Sequence, residues 1–239
     1  AGAADLIHMR AALALARRGL GQVWPNPAVG CVLCQRDEVI GRGWTQPGGR
    51  PHAETEALTR AGNAARGATA YVTLEPCAHH GQTPPCADAL IAAGVRRAVI
   101  AVEDPDPRVA GRGIAKLKAA SIETLVGPCA LEATDLNAGF FSRVRHGRPL
   151  VTTKIASSLD GRIATATGES QWITGPQARA RVHALRASHD GILVGTGTAL
   201  ADNPELTCRL PGLSGRSPVR IVLDRTLRLP VSHHLVSAA

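Results

Sequence analysis

Three residues of metal-ligand type, His52, Cys77 and Cys86, stand 25 and 9 positions apart, and a chain that gathers them around one ion has few ways to fold. His52-Ala53-Glu54 follows Pro51 and opens a helix that the apolar period carries to about Ala65. Cys77 follows Pro76 directly after an expected strand, Ala68–Leu74, and Pro84-Pro85 opens the next helix, to Ala93, with Cys86 just inside it. A helix start, a strand end and a second helix start must therefore meet. One imidazole and two thiolates suit zinc, and three protein ligands leave the fourth position to water, which is the catalytic arrangement. Bound zinc lowers the pKa of its water toward about 7. Cys86 sits near a helix N-terminus, where the dipole favours the thiolate. Glu54, two residues beyond His52, leaves the helix in another direction, toward the water rather than the metal, where it can take a proton and pass it to a leaving amine. The alternatives are a structural zinc site completed by His79, His80 or another cysteine, and no metal at all.

The rest of the first part alternates helix and strand. Asp5–Arg18 is helical by period, and Trp24-Pro25-Asn26-Pro27 is a stiff loop. Ala28–Cys34 and Glu38–Trp44 read as strands about a turn at Gln35-Arg36-Asp37. Strands are also expected at Ala98–Val102 and Ile122–Val126, with a helix at Gly113–Ala120 between them. This order predicts an α/β sandwich. Cys31 and Cys34 point to opposite faces of their strand, so they make a poor metal pair and read as core thiols. The polar run Arg143–Pro149 breaks the period, and a domain boundary is placed at 145/146. A second α/β pattern follows, with a strand at Leu150–Ala156, a helix at Pro176–Ala187 and strands at Gly191–Val194 and Val219–Leu223. The chain lacks an initiator Met and stops at Ala239 without a closing element, so it reads as a piece of something longer.

No apolar run reaches the roughly 18 residues that span a bilayer. Ala1–Arg18, interrupted by Asp5, His8 and Arg10, is an amphipathic helix rather than a signal peptide. The expected location is cytoplasmic, where disulfides among the six cysteines are not expected. A net charge of +8 raises nucleic acid as a partner, but the basic residues are scattered. A phosphorylated small substrate suits a basic protein as well.

H-x-E followed by P-C is the zinc deaminase pattern. Ordinary cytidine and tRNA deaminases carry P-C-x-x-C, whereas here eight residues separate the cysteines. His52-Ala53-Glu54 with Thr73-Leu74-Glu75-Pro76-Cys77-Ala78-His79-His80-Gly81-Gln82-Thr83-Pro84-Pro85-Cys86 resembles the bifunctional deaminase–reductase family of riboflavin biosynthesis. Pro25-Asn26-Pro27, Asp104-Pro105-Asp106-Pro107, Lys154–Arg162 and Gly168–Thr174 fit the same family. The resemblance implies a cytidine-deaminase-like α/β/α sandwich over 1–145 and the front of a dihydrofolate-reductase-like α/β domain over 146–239, the latter expected to be incomplete. It implies hydrolytic deamination of 2,5-diamino-6-ribosylamino-4(3H)-pyrimidinone 5′-phosphate on Zn2+, then reduction of the ribosyl group to ribityl by NADPH.

The resemblance also implies roles. Asn26 would contact the pyrimidine, the alternative being a cap of the turn between its prolines. Ser170, Arg186, Leu206 and Arg209 would contact the reductase substrate, and Ala156, Trp172, Thr198 and Asp202 the NADPH. Arg suits phosphate because its planar fork gives paired, charge-assisted bonds. A homo-oligomer is expected, with neither nucleic acid nor membrane as partner. Three departures touch substrate affinity rather than chemistry: Gln82 in place of a basic residue, Thr45 where His is common, and Ala78 for Ser. The competing readings are a nucleic-acid deaminase and a non-catalytic, zinc-stabilised binding module.

Overall fold

Val29–Cys34 holds no polar side chain, and a strand apolar at every position must be covered on both faces. In the computed structural model of the chain, β1 (Gly30–Gln35) lies second in a five-stranded sheet of order β2-β1-β3-β4-β5. The partners are β2 (Glu38–Trp44), β3 (Thr69–Val72), β4 (Arg97–Ile100) and β5 (Glu123–Val126). β1 runs antiparallel to β2 and β3, while β3, β4 and β5 are parallel. The structure describes residues 1–36, 38–79, 81, 84–107 and 109–237; Asp37 of the expected turn lies outside them.

Alternate residues of the central strands feed two separate cores, which makes the three-layer sandwich. Cys31, Leu33, Val72, Ala98 and Ile100 pack toward α2 (Ala53–Ala61), α3 (Cys86–Ala92) and α4 (Arg112–Ala119). Val32, Cys34, Tyr71 and Val99 pack toward α1 (Ala3–Ala16) and Ala133 of α5 (Ala130–Leu136). Cys31 and Cys34 are thus buried on opposite faces, as core thiols.

Two glycines let helices touch the sheet backbone. A Cβ on Gly30 would stand 1.9 Å from the Ala12 carbonyl oxygen of α1, and one on Gly43 2.0 Å from that of Ala53 in α2. Only glycine fits such contacts, and the second fixes the first turn of α2, which carries Glu54. On the other face a buried ion pair pins α1: Arg97 reaches Asp5 through Nη1 at 2.6 Å and Nη2 at 3.2 Å, and the Tyr71 hydroxyl donates to Asp5 at 3.3 Å. The Arg97 hydrogen bonds hold the Asp5 carboxyl down at about 2.

After β5 the structure departs from the sequence expectation. Helices α5 and α6 (Ala138–His146) occupy a stretch for which the sequence predicts no element, and Arg143–His146, part of the expected polar break, form the last turn of α6. The two compact units are Ala1–Leu150 and Val151–Ala239, so the expected 145/146 boundary falls inside a helix. The second unit holds α7 (Pro176–Ala187), β6 (Gly191–Gly195), α8 (Thr196–Asp202), β7 (Val219–Leu223) and α9 (His234–Ser237), with β6 and β7 parallel. The strand expected at Leu150–Ala156 does not form. A strand exists only by bonding to a neighbour, and Val151 and Ile155 are 79% and 72% exposed, without a ladder partner. No helix among the described residues is long and apolar enough to cross a membrane.

Candidate metal centre and cavity

His52 caps α2 with extended backbone, Cys77 stands in the loop after β3, and Cys86 is the first residue of α3. Their ligand atoms lie within 4.8 Å of one another. His52 Nδ1 is 3.3 Å from Cys86 Sγ and 3.8 Å from Cys77 Sγ, and the Cys86 N–H donates to Cys77 Sγ at 3.2 Å. One ring nitrogen and two sulfurs converging at this spacing form a donor set that fits zinc. The Cys86 side chain, and after it His52, hydrogen-bonds Cys77 and pulls its thiol down to about 4. Cys86 is pushed up by the same bond and by burial. By sequence both cysteines are thiolates, with the helix terminus favouring that form at Cys86. A coordinated metal deprotonates both thiols in any case.

Glu54 is buried beside this group. Burial first, then the negative charge of Cys77, raises its carboxyl to about 7. It lines a cavity of about 200 Å³ together with His52 and Cys77. The cavity wall comes from elsewhere in the chain: Asn26 and Pro27, Thr45, Asp104 and Val109, and Phe140 and Arg143 of α6. Asn26 donates its amide to the Gly49 carbonyl at 2.8 Å, a contact 23 positions away rather than a local cap. Thr45 is buried, accepts from the Val29 N–H at 2.9 Å and donates to Pro27 O at 3.1 Å. Ala78 is half-buried beside Cys77, and Gln82 and His80 lie outside the described residues.

Sequence reasoning missed the groups that hold this site together. Glu75 is buried, and its carboxylate accepts three backbone N–H groups, from Ile114 at 3.0 Å on Oε1 and from Gly111 at 3.0 Å and Asp104 at 3.2 Å on Oε2. It thereby ties the Pro76-Cys77 segment to the start of α4. Gly113 belongs to the same joint, because a Cβ there would stand 2.0 Å from Pro76 O. Asn137 is buried between α5 and α6 and exchanges two 2.9 Å bonds with the backbone of Ala28, locking the 25–28 loop. An acidic residue beside Pro-Cys was visible in the sequence; its three backbone partners were not.

In the second unit, Arg186 and Arg209 meet at His183. Arg186 Nη1 lies 3.4 Å from its Nδ1, and the Arg209 N–H donates to that nitrogen at 3.2 Å. Arg186 also donates to Thr207 O at 3.0 Å, next to buried Leu206. Ala156 is half-buried, and Ser170 and Trp172 of one loop and Thr198 and Asp202 of α8 are exposed. Trp172 lies under the Arg179 guanidinium at 4.6 Å.

Fold and donor group together define the class: a cytidine-deaminase-like domain with a zinc-binding region. Residues 4–102 match the family described as Cytidine and deoxycytidylate deaminase zinc-binding region, and residues 149–239 match RibD C-terminal domain. The chain belongs to the RibD family. It is 50% identical to the riboflavin biosynthesis protein RibD of Escherichia coli K12, over 97% of this chain and 66% of that protein. Identity to the RibD of Bacillus amyloliquefaciens is 48%, over 96% and 62%. The solved structure of Acinetobacter baumannii RibD superposes with a TM-score of 0.90 at 47% identity, covering 98% of this chain and 67% of that one. The chain thus spans about two thirds of the length of the relatives it matches.

Proposed function

We propose that the first unit deaminates 2,5-diamino-6-ribosylamino-4(3H)-pyrimidinone 5′-phosphate by hydrolysis, within riboflavin biosynthesis. The observation that carries this is Glu54, buried with its carboxyl raised to about 7, in one cavity with the His52, Cys77 and Cys86 group. Zinc held by these three residues would supply a water acidified toward about 7. A carboxyl near neutrality is matched to both halves of the proton transfer. Glu54 takes a proton from the water as the new C–O bond forms, and returns it to the amine nitrogen as the C–N bond breaks, so the products are the carbonyl compound and ammonia. Asn26, held against Gly49, presents its amide to the pyrimidine ring.

The second unit contributes to NADPH-dependent reduction of the ribosyl group. Arg186, Arg209, Leu206 and Ser170 serve the phosphorylated substrate, and Ala156, Trp172, Thr198 and Asp202 the cofactor. The support is that Arg186 reaches His183 through its guanidinium and Arg209 through its backbone N–H, with the Arg209 guanidinium on Glu205 at 2.7 Å; a guanidinium fork suits phosphate. The reading places the protein in the cytoplasm as a homo-oligomer acting on a small molecule rather than on nucleic acid. The test is ammonia release by the zinc-loaded chain from the pyrimidine phosphate, with cytidine, adenosine and RNA as alternatives. Release from RNA or cytidine alone would replace this reading with a nucleic-acid or nucleoside deaminase.

A further inference from the structure

We propose that Arg143, with Arg50, forms the subsite that receives the substrate's phosphomonoester at the mouth of the deaminase cavity. This rests on the deaminase reading above and adds the residues that select the phosphorylated form. The first observation is size. Sites that bury a whole drug-sized ligand run to about 300–1,000 Å³, whereas this cavity is about 200 Å³. It accommodates the pyrimidine head beside Glu54, and the ribose phosphate must extend outward.

The second observation is how charge is layered. The carboxylates of the interior are committed: Glu54 to the proton, Glu75 to three backbone N–H groups, and Asp104 to the Asp106 N–H at 2.8 Å. All three are buried. The guanidinium groups that line the cavity, Arg50 and Arg143, are half-buried and exposed respectively, which places them toward its opening. A dianion leaving the pyrimidine end meets these two cations on a wall that also carries half-buried Asp106 and exposed His79. Each offers the planar fork that pairs with phosphate oxygens.

The third observation is that these groups are held in place. Arg143 Nη2 donates to Pro25 O at 2.8 Å, and its guanidinium lies over the Phe140 ring at 5.5 Å. Arg50 is packed against the Cys77–Cys86 insert, since a Cβ at Gly81 would stand 3.5 Å from its Nη2. A cation already ordered loses less freedom on binding.

The competing account is that Arg143 only buttresses the 25–28 loop. Arg143→Gln and Arg143→Lys together separate the two, because both give up the Nη2 bond to Pro25 O while only Lys keeps the charge. A buttress is lost equally in both, a phosphate site mainly in the Gln variant. Initial rates of ammonia release are measured with the pyrimidine riboside 5′-phosphate and with the dephosphorylated riboside. The expected result for Arg143→Gln is a KM for the phosphate raised about 10–100-fold, as for loss of a charge-assisted pair. kcat stays within a few-fold, and the riboside's kcat/KM within about two-fold. Arg50→Gln moves the same ratio in the same direction. Equal losses on both substrates, equal losses in Arg143→Gln and Arg143→Lys, or no change in the phosphate KM for either Gln variant, overturn the assignment. A wild-type chain that deaminates neither substrate overturns the deaminase reading itself, and the subsite with it.

Discussion

Replacing Glu75 by Gln changes one oxygen into an amide and should loosen the metal centre without touching a ligand. The native carboxylate serves Ile114 on one oxygen and Gly111 and Asp104 on the other. With its single carbonyl oxygen Gln can keep the pair or the single bond, not both sets. One choice leaves at least one buried N–H facing an N–H2 group, at roughly 1–3 kcal/mol, and turns the surviving bonds from charge-assisted to neutral. The sum is about 2–4 kcal/mol of local stability, with the residue's volume conserved. The damage lies at the joint between Pro76-Cys77 and α4, so it should reach Cys77 first. Amide hydrogen exchange is expected to speed up at Gly111 and Ile114, and zinc to pass faster to a competing chelator, while exchange in β6 and β7 stays as it was. Unchanged exchange at Gly111 and Ile114, or zinc retention equal to wild type, would show that the carboxylate does not hold the ligand loop.

Two further outcomes follow from the same geometry. Glu54→Gln should keep zinc, as measured by elemental analysis, and lose about 10²–10⁴-fold in ammonia release, because Gln cannot carry the proton; a rate within a few-fold of wild type removes Glu54 from the mechanism. Asp5 has its pKa lowered from 3.8 to about 2, so the stability it lends is present above pH 3.8 and lost as the pH falls through about 2. The shift is worth about 2 kcal/mol, and Arg97→Ala should cost at least that at pH 7 yet progressively less below pH 4. A denaturation midpoint for this variant that differs from wild type by the same amount at pH 7 and pH 2.5 would be evidence against the pairing.

The parts of this protein legible from sequence are those whose cause is local. The unbroken apolar run at 29–34 announces a central strand, and residue type with spacing announces the group at 52, 77 and 86. Proline at 51 and at 84-85 marks both helix starts to within two residues of those observed. What escaped was non-local. α5 and α6 are short helices joined at Asn137, whose burial makes sense only once Ala28, 109 positions earlier, is placed against it. Leu150–Ala156 carries the composition of a strand, but composition supplies no neighbour to bond. Arg143 and Glu75 read as an ordinary surface cation and an ordinary acid until the fold brings Pro25, Phe140 and the start of α4 to meet them.

The Asn137–Ala28 lock also sets an order in time. All three ligand residues have been synthesised by position 86, but the loop that carries Cys77 also waits for Asp104, Gly111 and Ile114 to bond Glu75. The wall of the cavity waits for Asn137 to close on Ala28 and for Arg143 to reach Pro25. At about 5–20 residues added per second, several seconds pass between the two events on the ribosome. Until that closure, the part of the cavity wall that α6 supplies, Phe140 and Arg143, is not in place.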